Sequence, residues 1–215
     1  MFLFALVLGV LFLPEADTLK CKCSPSIYGS CSGESECPSQ NDHCLTATQT
    51  TIHGDKVSEH NVKSCMKAEL CLDFSINNGF HRLLQKSSCC NGDLCNTQTD
   101  YPKPDNKSTP NGKKCFACDG ENCMKTLNCL GDENYCVKVT GNVQGVSLTT
   151  KGCASKAVCS DQISSVVNQV TSRILGQVIG VKLSCCQGDY CNSASSASPV
   201  LLLLLVPLLF SNLFS

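Results

Sequence analysis

Cysteine spacing constrains this chain more than any other feature. Twenty of its 215 residues are cysteine, and they fall into two blocks of ten. The first runs Cys21, Cys23, Cys31, Cys37, Cys44, Cys65, Cys71, Cys89, Cys90 and Cys95, and closes as Cys89-Cys90-Asn91-Gly92-Asp93-Leu94-Cys95-Asn96. The second runs Cys115, Cys118, Cys123, Cys129, Cys136, Cys153, Cys159, Cys185, Cys186 and Cys191, and closes as Cys185-Cys186-Gln187-Gly188-Asp189-Tyr190-Cys191-Asn192. Agreement in number, order of spacing and a CCxGDxCN ending marks an internal duplication of one disulfide-stapled module. A cysteine content of about 9 per cent places folding in an oxidising compartment, because a reduced cytosol would leave such a scaffold unlinked. Blocks of about 75 residues bury too little apolar surface to be stable unaided. Five bridges per block, each contributing about 2–4 kcal/mol, supply what the core lacks.

Both ends of the chain read as processing signals. Residues 1–13 are apolar, broken by Gly9 and followed by Pro14, Glu15, Ala16, Asp17 and Thr18. That is the length of a secretory core and too short for a membrane span. The expected signal peptide is 1–18, with cleavage after Thr18 preferred to Ala16. At the other end Ser193 to Pro199 is small and polar, and Val200 to Phe210 is nearly all leucine. No basic cluster follows. These parts in this order are expected to be a glycosylphosphatidylinositol signal over 193–215, with Asn192 or Ser193 as the attachment residue and a single membrane span or an uncleaved, secreted form as the alternatives.

The interior is organised as a first module at 19–96, a proline-rich linker at 97–114 and a second module at 115–192. The linker, with Pro102, Pro104, Pro110 and Gly112, carries no apolar period and reads as a solvated hinge. Asn106-Lys107-Ser108 within it is a glycosylation sequon, so Asn106 is the expected glycan site. From Cys136, alternating Val137 and Val139 lead to the turn-like Gly141-Asn142-Val143-Gln144-Gly145, and Val146, Leu148 and Thr150 lead back, which predicts a β-hairpin. In the first block Leu45, Ala47 and Thr51 lead to His53-Gly54-Asp55, and Val57 and Val62 return. Ser160 to Ser184 differs: Ile163, Val167, Val170, Ile174 and Val178 recur every three or four residues and predict a short helix before the closing strand.

The order of cysteines and the twice-used closing phrase resemble the three-finger superfamily of snake neurotoxins, lymphocyte antigen 6 proteins and the urokinase receptor. The paired modules and hinge are most similar to its two-domain members, which include urokinase-receptor-like surface proteins and the gamma-type phospholipase inhibitors. The resemblance implies an all-β, small, disulfide-rich fold of two tandem three-finger modules, with the possible short helix in the third finger of the second. Cysteine count alone leaves many hundreds of pairings open. The family pattern implies Cys21–Cys44, Cys23–Cys31, Cys37–Cys65, Cys71–Cys89 and Cys90–Cys95. In the second module it implies Cys115–Cys136, Cys118–Cys123, Cys129–Cys153, Cys159–Cys185 and Cys186–Cys191. It also casts Asn96 and Asn192 as structural clamps on finger backbone, while Asp93 and Asp189 read as turn formers beside their glycines.

Little points to chemistry. His43, His53, His60 and His81 all lie in the first block, without zinc-enzyme spacing. The rival zinc reading of Cys115 and Cys118 yields to adjacent cysteine pairs, an even count and an export signal. No nucleophile elbow or phosphate loop is present, so neither an enzyme nor a cofactor is expected. Seventeen basic residues against eighteen acidic ones give no nucleic-acid footprint. The resemblance implies a lipid-anchored protein on the outer leaflet that binds an extracellular or cell-surface protein. The expected contacts are His53, Asp55, Asn142, Val143 and Gln144, with the exposed part of Ile163 to Ile179. The alternative is a secreted protein similar to the phospholipase inhibitors.

Overall fold

The computed structural model describes residues 18–24, 31, 33–39, 41–105, 109–119, 122–143, 146–161, 163 and 178–193. Residues 1–17, with most of the expected signal peptide, Asn106, Gln144, residues 164–177 with most of the expected helix, and residues 194–215 lie outside them. Among the described residues the chain is almost wholly β. Its strands are β1 (Lys20–Cys23), β2 (Gly33–Glu36), β3 (Asp42–His53), β4 (Lys56–Lys67), β5 (Phe74–Asn77), β6 (His81–Cys90), β7 (Pro110–Asp119), β8 (Asn122–Leu130), β9 (Tyr135–Val143), β10 (Val146–Ala154) and β11 (Val178–Cys186). Short 3-10 turns occupy Ala68–Leu70 and Lys156–Cys159. All twenty cysteines are bridged, as Cys21–Cys44, Cys23–Cys31, Cys37–Cys65, Cys71–Cys89, Cys90–Cys95, Cys115–Cys136, Cys118–Cys123, Cys129–Cys153, Cys159–Cys185 and Cys186–Cys191.

The chain forms two compact units that do not follow the cysteine blocks. One comprises Met1–Ala47, Asn61–Cys71 and Ser87–Pro102; the other comprises Thr48–His60, Leu72–Lys86 and Lys103–Ser215. In the first unit β1 pairs antiparallel with β2, from Lys20 opposite Glu36 to Cys23 opposite Gly33. Its core is sulfur: buried Cys21, Cys37 and Cys44, with Leu19, Cys65, Cys90 and Cys95 packed around them. Cystine is the main apolar filling here, which is how so small a unit excludes water.

The closing phrase has the same geometry in both blocks. The Asp93 carboxylate accepts from Lys20 N at 2.9 Å, while Leu94 N donates to Lys20 O at 2.7 Å. In the second unit Asp189 accepts from Lys114 N at 3.1 Å, and Tyr190 N donates to Lys114 O at 2.8 Å. To reach back in this way Leu94 and Tyr190 take left-handed φ values of 54° and 56°, which side chains rarely adopt. The asparagine that follows completes the grip. Asn96 accepts from Lys22 N at 2.8 Å and donates to Lys22 O and Leu45 O at 2.9 and 3.0 Å. Asn192 accepts from Phe116 N at 2.9 Å and donates to Phe116 O and Val137 O at 2.9 and 3.0 Å. Both side chains are buried. Asn96→Ala will therefore strand buried backbone groups and lower stability by about 2–3 kcal/mol, read as a shift in the denaturation midpoint of the disulfide-intact protein. Asn192→Ala serves as the internal duplicate.

In the second unit β7 pairs with β8, while β10 pairs with β9, and β11 with the other edge of β9. Two features depart from the sequence reading. Pro110–Lys114, expected within the hinge, opens β7 instead; a proline is tolerated as first residue of a strand in a two-stranded sheet, where its missing N–H interrupts no central ladder. Gly141 to Val143, expected as the turn, belong to β9, because Val143 pairs with Val146 and leaves only positions 144–145 between the strands. One core of this unit is again cystine, Cys115, Cys129, Cys136 and Cys153, and a second is aliphatic, around Val137, Ala154 and Val158 with Phe74, Ile76, Val139 and Leu183.

Phe74 and Ile76 come from the first cysteine block, and the backbone explains why. β5 pairs with β6 on one side and with β10 on the other, through Asn77 opposite Cys153 and Ile76 opposite Ala154. The strand order β11-β9-β10-β5-β6-β3-β4 follows. Ser75 extends the join: its O accepts from Ser155 N at 2.9 Å and its N donates to the Ser155 hydroxyl at 3.0 Å. Beside this seam lies Glu133, fully buried on the tight connection between β8 and β9. One carboxylate oxygen accepts from Arg82 Nε at 2.7 Å and from the Ser75 hydroxyl at 2.6 Å. The other accepts from Leu130 N at 3.0 Å and from the Asn77 amide at 3.4 Å. Asn111 clasps the connection through the Gly131 and Glu133 carbonyls. A buried carboxylate is tolerated here because a buried guanidinium and three uncharged donors replace its water.

Candidate functional site

Two hairpin ends place side chains of the first cysteine block together. Gly54, with φ of +56°, and Asp55 turn the chain between β3 and β4, so that His53 is the last residue of β3. The connection from β5 to β6 is fixed by its own amides: Asn77 Oδ1 accepts from Gly79 N at 2.9 Å, and Asn78 Oδ1 accepts from Phe80 N and His81 N at 2.9 and 2.8 Å. Asn78 N closes the turn on His81 O at 3.1 Å. The rings of His53 and Phe80 lie 4.9 Å apart and those of His53 and His81 stack at 4.4 Å, with 5.4 Å between Phe80 and His81. The two Nδ1 atoms are 3.2 Å apart.

Phe80 is 67% exposed, which is unusual for a phenylalanine on a turn held by three side-chain hydrogen bonds. Sequence reading selects His53 but neither Phe80 nor His81. The available signal is a bulky aromatic directly after Asn-Asn-Gly, where a turn favours small or polar residues. Asp55 stays exposed in its turn. Of the candidates in the second block, Asn142 is exposed within β9, opposite Ser147 of β10 and Ile179 of β11, and Val143 lies in the same ladder. Gln144 is outside the described residues. The β9–β10 hairpin instead exposes Val146 and Leu148, alternate residues on one side of β10.

Other polar groups have structural partners. Lys151 is buried, donating to Cys123 O at 3.2 Å with its ammonium 5.8 Å from the Phe116 ring centre. Burial pushes its ammonium below the usual lysine range, and Lys138 adds repulsion. Lys86 is exposed and held above that range by its hydrogen bond and ion pair with Asp73. Sulfur atoms of Cys21, Cys37 and Cys65 cluster, as do those of Cys115, Cys129 and Cys153, but every one is in a cystine and offers no thiolate to a metal. Among the described residues no helix is long and apolar enough to cross a membrane.

Comparison with known proteins gives two family matches. Residues 18–98 match the u-PAR/Ly-6 domain, and residues 114–192 match the snake toxin and toxin-like protein family. The mouse urokinase plasminogen activator surface receptor is 30% identical over 204 residues, covering 86% of this chain and 58% of the receptor. This chain thus spans little more than half of that relative's length. A gamma-type phospholipase A2 inhibitor of Laticauda semifasciata is 30% identical over 134 residues, covering 58% of this chain and 74% of the inhibitor. The bovine Ly6/PLAUR domain-containing protein 8 is 28% identical over 182 residues, 78% of each chain. With a duplicated, cystine-cored, all-β fold and these matches over both cysteine blocks, the chain belongs to the u-PAR/Ly-6 family of three-finger proteins.

Proposed function

We propose that the protein is a lipid-anchored, extracellular binding protein that recognises a protein partner through the side chains at its hairpin ends. The observation that carries this is Phe80, exposed on a turn that its own hydrogen bonds make rigid and flanked by the His53 and His81 rings. An aromatic presented in this way loses little conformational entropy on docking and buries a large apolar area, the profile of an interface anchor. Relatives named as a surface receptor and as phospholipase inhibitors support a binding role rather than a catalytic one. Anchoring rests on the order of small residues, spacer and leucine-rich tail after Asn192.

Two measurements test the reading. Phosphatidylinositol-specific phospholipase C applied to intact cells expressing the tagged chain will shift the protein from surface to medium. Retention on the membrane would replace the lipid anchor by a spanning segment. The released protein is then screened against secreted and cell-surface ectodomains, and Phe80→Ala will weaken the partner found by about 2 kcal/mol, roughly thirtyfold. Unchanged affinity would remove the tip from the interface. Similarity to the phospholipase inhibitors supports a second reading, in which the protein is secreted and blocks an enzyme. Protein found in the medium without treatment, and inhibition of a secreted phospholipase A2, would favour it.

A further inference from the structure

We propose that His53 and His81 together form a binding site for a tetrahedral divalent cation of the zinc type. Their Nδ1 atoms lie 3.2 Å apart on the ends of two separate hairpins. In the metal-free protein that spacing is a hydrogen bond, in which one imidazole gives its N–H to the lone pair of the other. An ion that takes the place of the shared proton finds two nitrogens already close to the separation it requires. With zinc–nitrogen bonds of about 2.0–2.1 Å and a tetrahedral angle, two imidazole nitrogens on one ion lie about 3.3–3.4 Å apart.

The backbone under each ring is fixed. His81 sits on the turn tied to Asn78, and His53 immediately precedes the Gly54–Asp55 turn. The rings are stacked with 27° between their planes, so each turns about its Cβ–Cγ bond to aim its in-plane lone pair at a common ion. Both side chains are exposed, and that rotation disturbs no core. Water fills the remaining coordination positions, as at sites with an open shell. The site is independent of the proposed protein partner, and its test reads metal alone.

Zinc chloride is titrated calorimetrically into the disulfide-intact protein, expressed without a histidine tag, in a non-chelating buffer at neutral pH. One ion will bind per chain, and magnesium will give no heat. His53→Gln and His81→Gln will each weaken zinc by about a hundredfold, since either leaves a single imidazole and forfeits the second ligand's effective concentration. His43→Gln and His60→Gln will bind as the unaltered chain does. Zinc will also shift the ring resonances of His53 and His81 before those of the other two histidines. No heat at millimolar zinc, or undiminished binding in the His53→Gln, His81→Gln double variant, would overturn the proposal. Unchanged thermal midpoints in the glutamine variants establish that any loss belongs to the ligands and not to the fold.

Discussion

Glu133→Ala will lower the stability of the second unit by about 3–5 kcal/mol, because it removes a buried carboxylate from the buried Arg82 guanidinium and leaves a cavity beside it. The carboxylate also serves Ser75, Asn77 and Leu130 N, so one substitution releases four donors together. Glu133→Gln keeps the shape and one acceptor oxygen but not the charge, and will fall between alanine and the native chain. The informative comparison is the double variant Arg82→Met, Glu133→Leu. If the pair chiefly costs desolvation, apolar side chains of similar volume recover most of the loss. Denaturant unfolding of the disulfide-intact protein measures all three. A Glu133→Ala protein as stable as the original would mean that water reaches this carboxylate and that the seam is held by backbone alone.

Gly152→Ala will be as damaging through a different route. A Cβ at Gly152 would overlap the carbonyl oxygen of Asn77, and would come within 2.9 Å of Asn77 C and Asn78 Cα. These are backbone atoms of β5 and its turn, so no side-chain rotation relieves them. The neighbouring pair, Asn77 opposite Cys153, must open, and the loss is expected to be at least about 3 kcal/mol. Cystines within each cysteine block survive, so the variant will keep its bridges and strand signature by circular dichroism. What it will lose is protection of the Ser155 amide in hydrogen exchange, since that N–H donates to Ser75 O across the seam. Retained protection would show that β5 is not held at β10 as described.

These two positions show where sequence reading ends. The all-β, disulfide-rich class was legible because cysteine spacing and the repeated closing phrase are local, countable signals. The first-block hairpin was legible from Gly54 and the alternation on either side of it, in the stretch that forms β3 and β4. Glu133 was not, since in Gly131-Asp132-Glu133-Asn134 it resembles any solvated turn acid, and its side-chain partners Arg82, Asn77 and Ser75 lie 51 to 58 residues away. Gly152 likewise gives no sign within a strand pattern that another strand must pass against it. The β9–β10 turn reads too wide because Gly141 and Asn142 are turn-prone, yet pairing continues through Val143 opposite Val146. Phe80 and His81 escape notice because exposure belongs to tertiary structure, and a phenylalanine in a sequence reads first as core.

The closing phrase has a mechanical meaning as well as a stabilising one. Asn192 and Tyr190 fasten the end of the second block to Phe116 and Lys114 at its beginning, as Asn96 and Leu94 fasten the first block to Lys22 and Lys20. Each block therefore begins and ends at one place, like a loop closed by a knot. A tug on the chain beyond Ser193 meets this clasp and the adjoining Cys186–Cys191 bridge before it reaches the hairpins. A load on the tail would fall on this base first and on the hairpin ends last. The same closure lets the unit be copied head to tail in a gene, because a copy needs only a connector from one knot to the next.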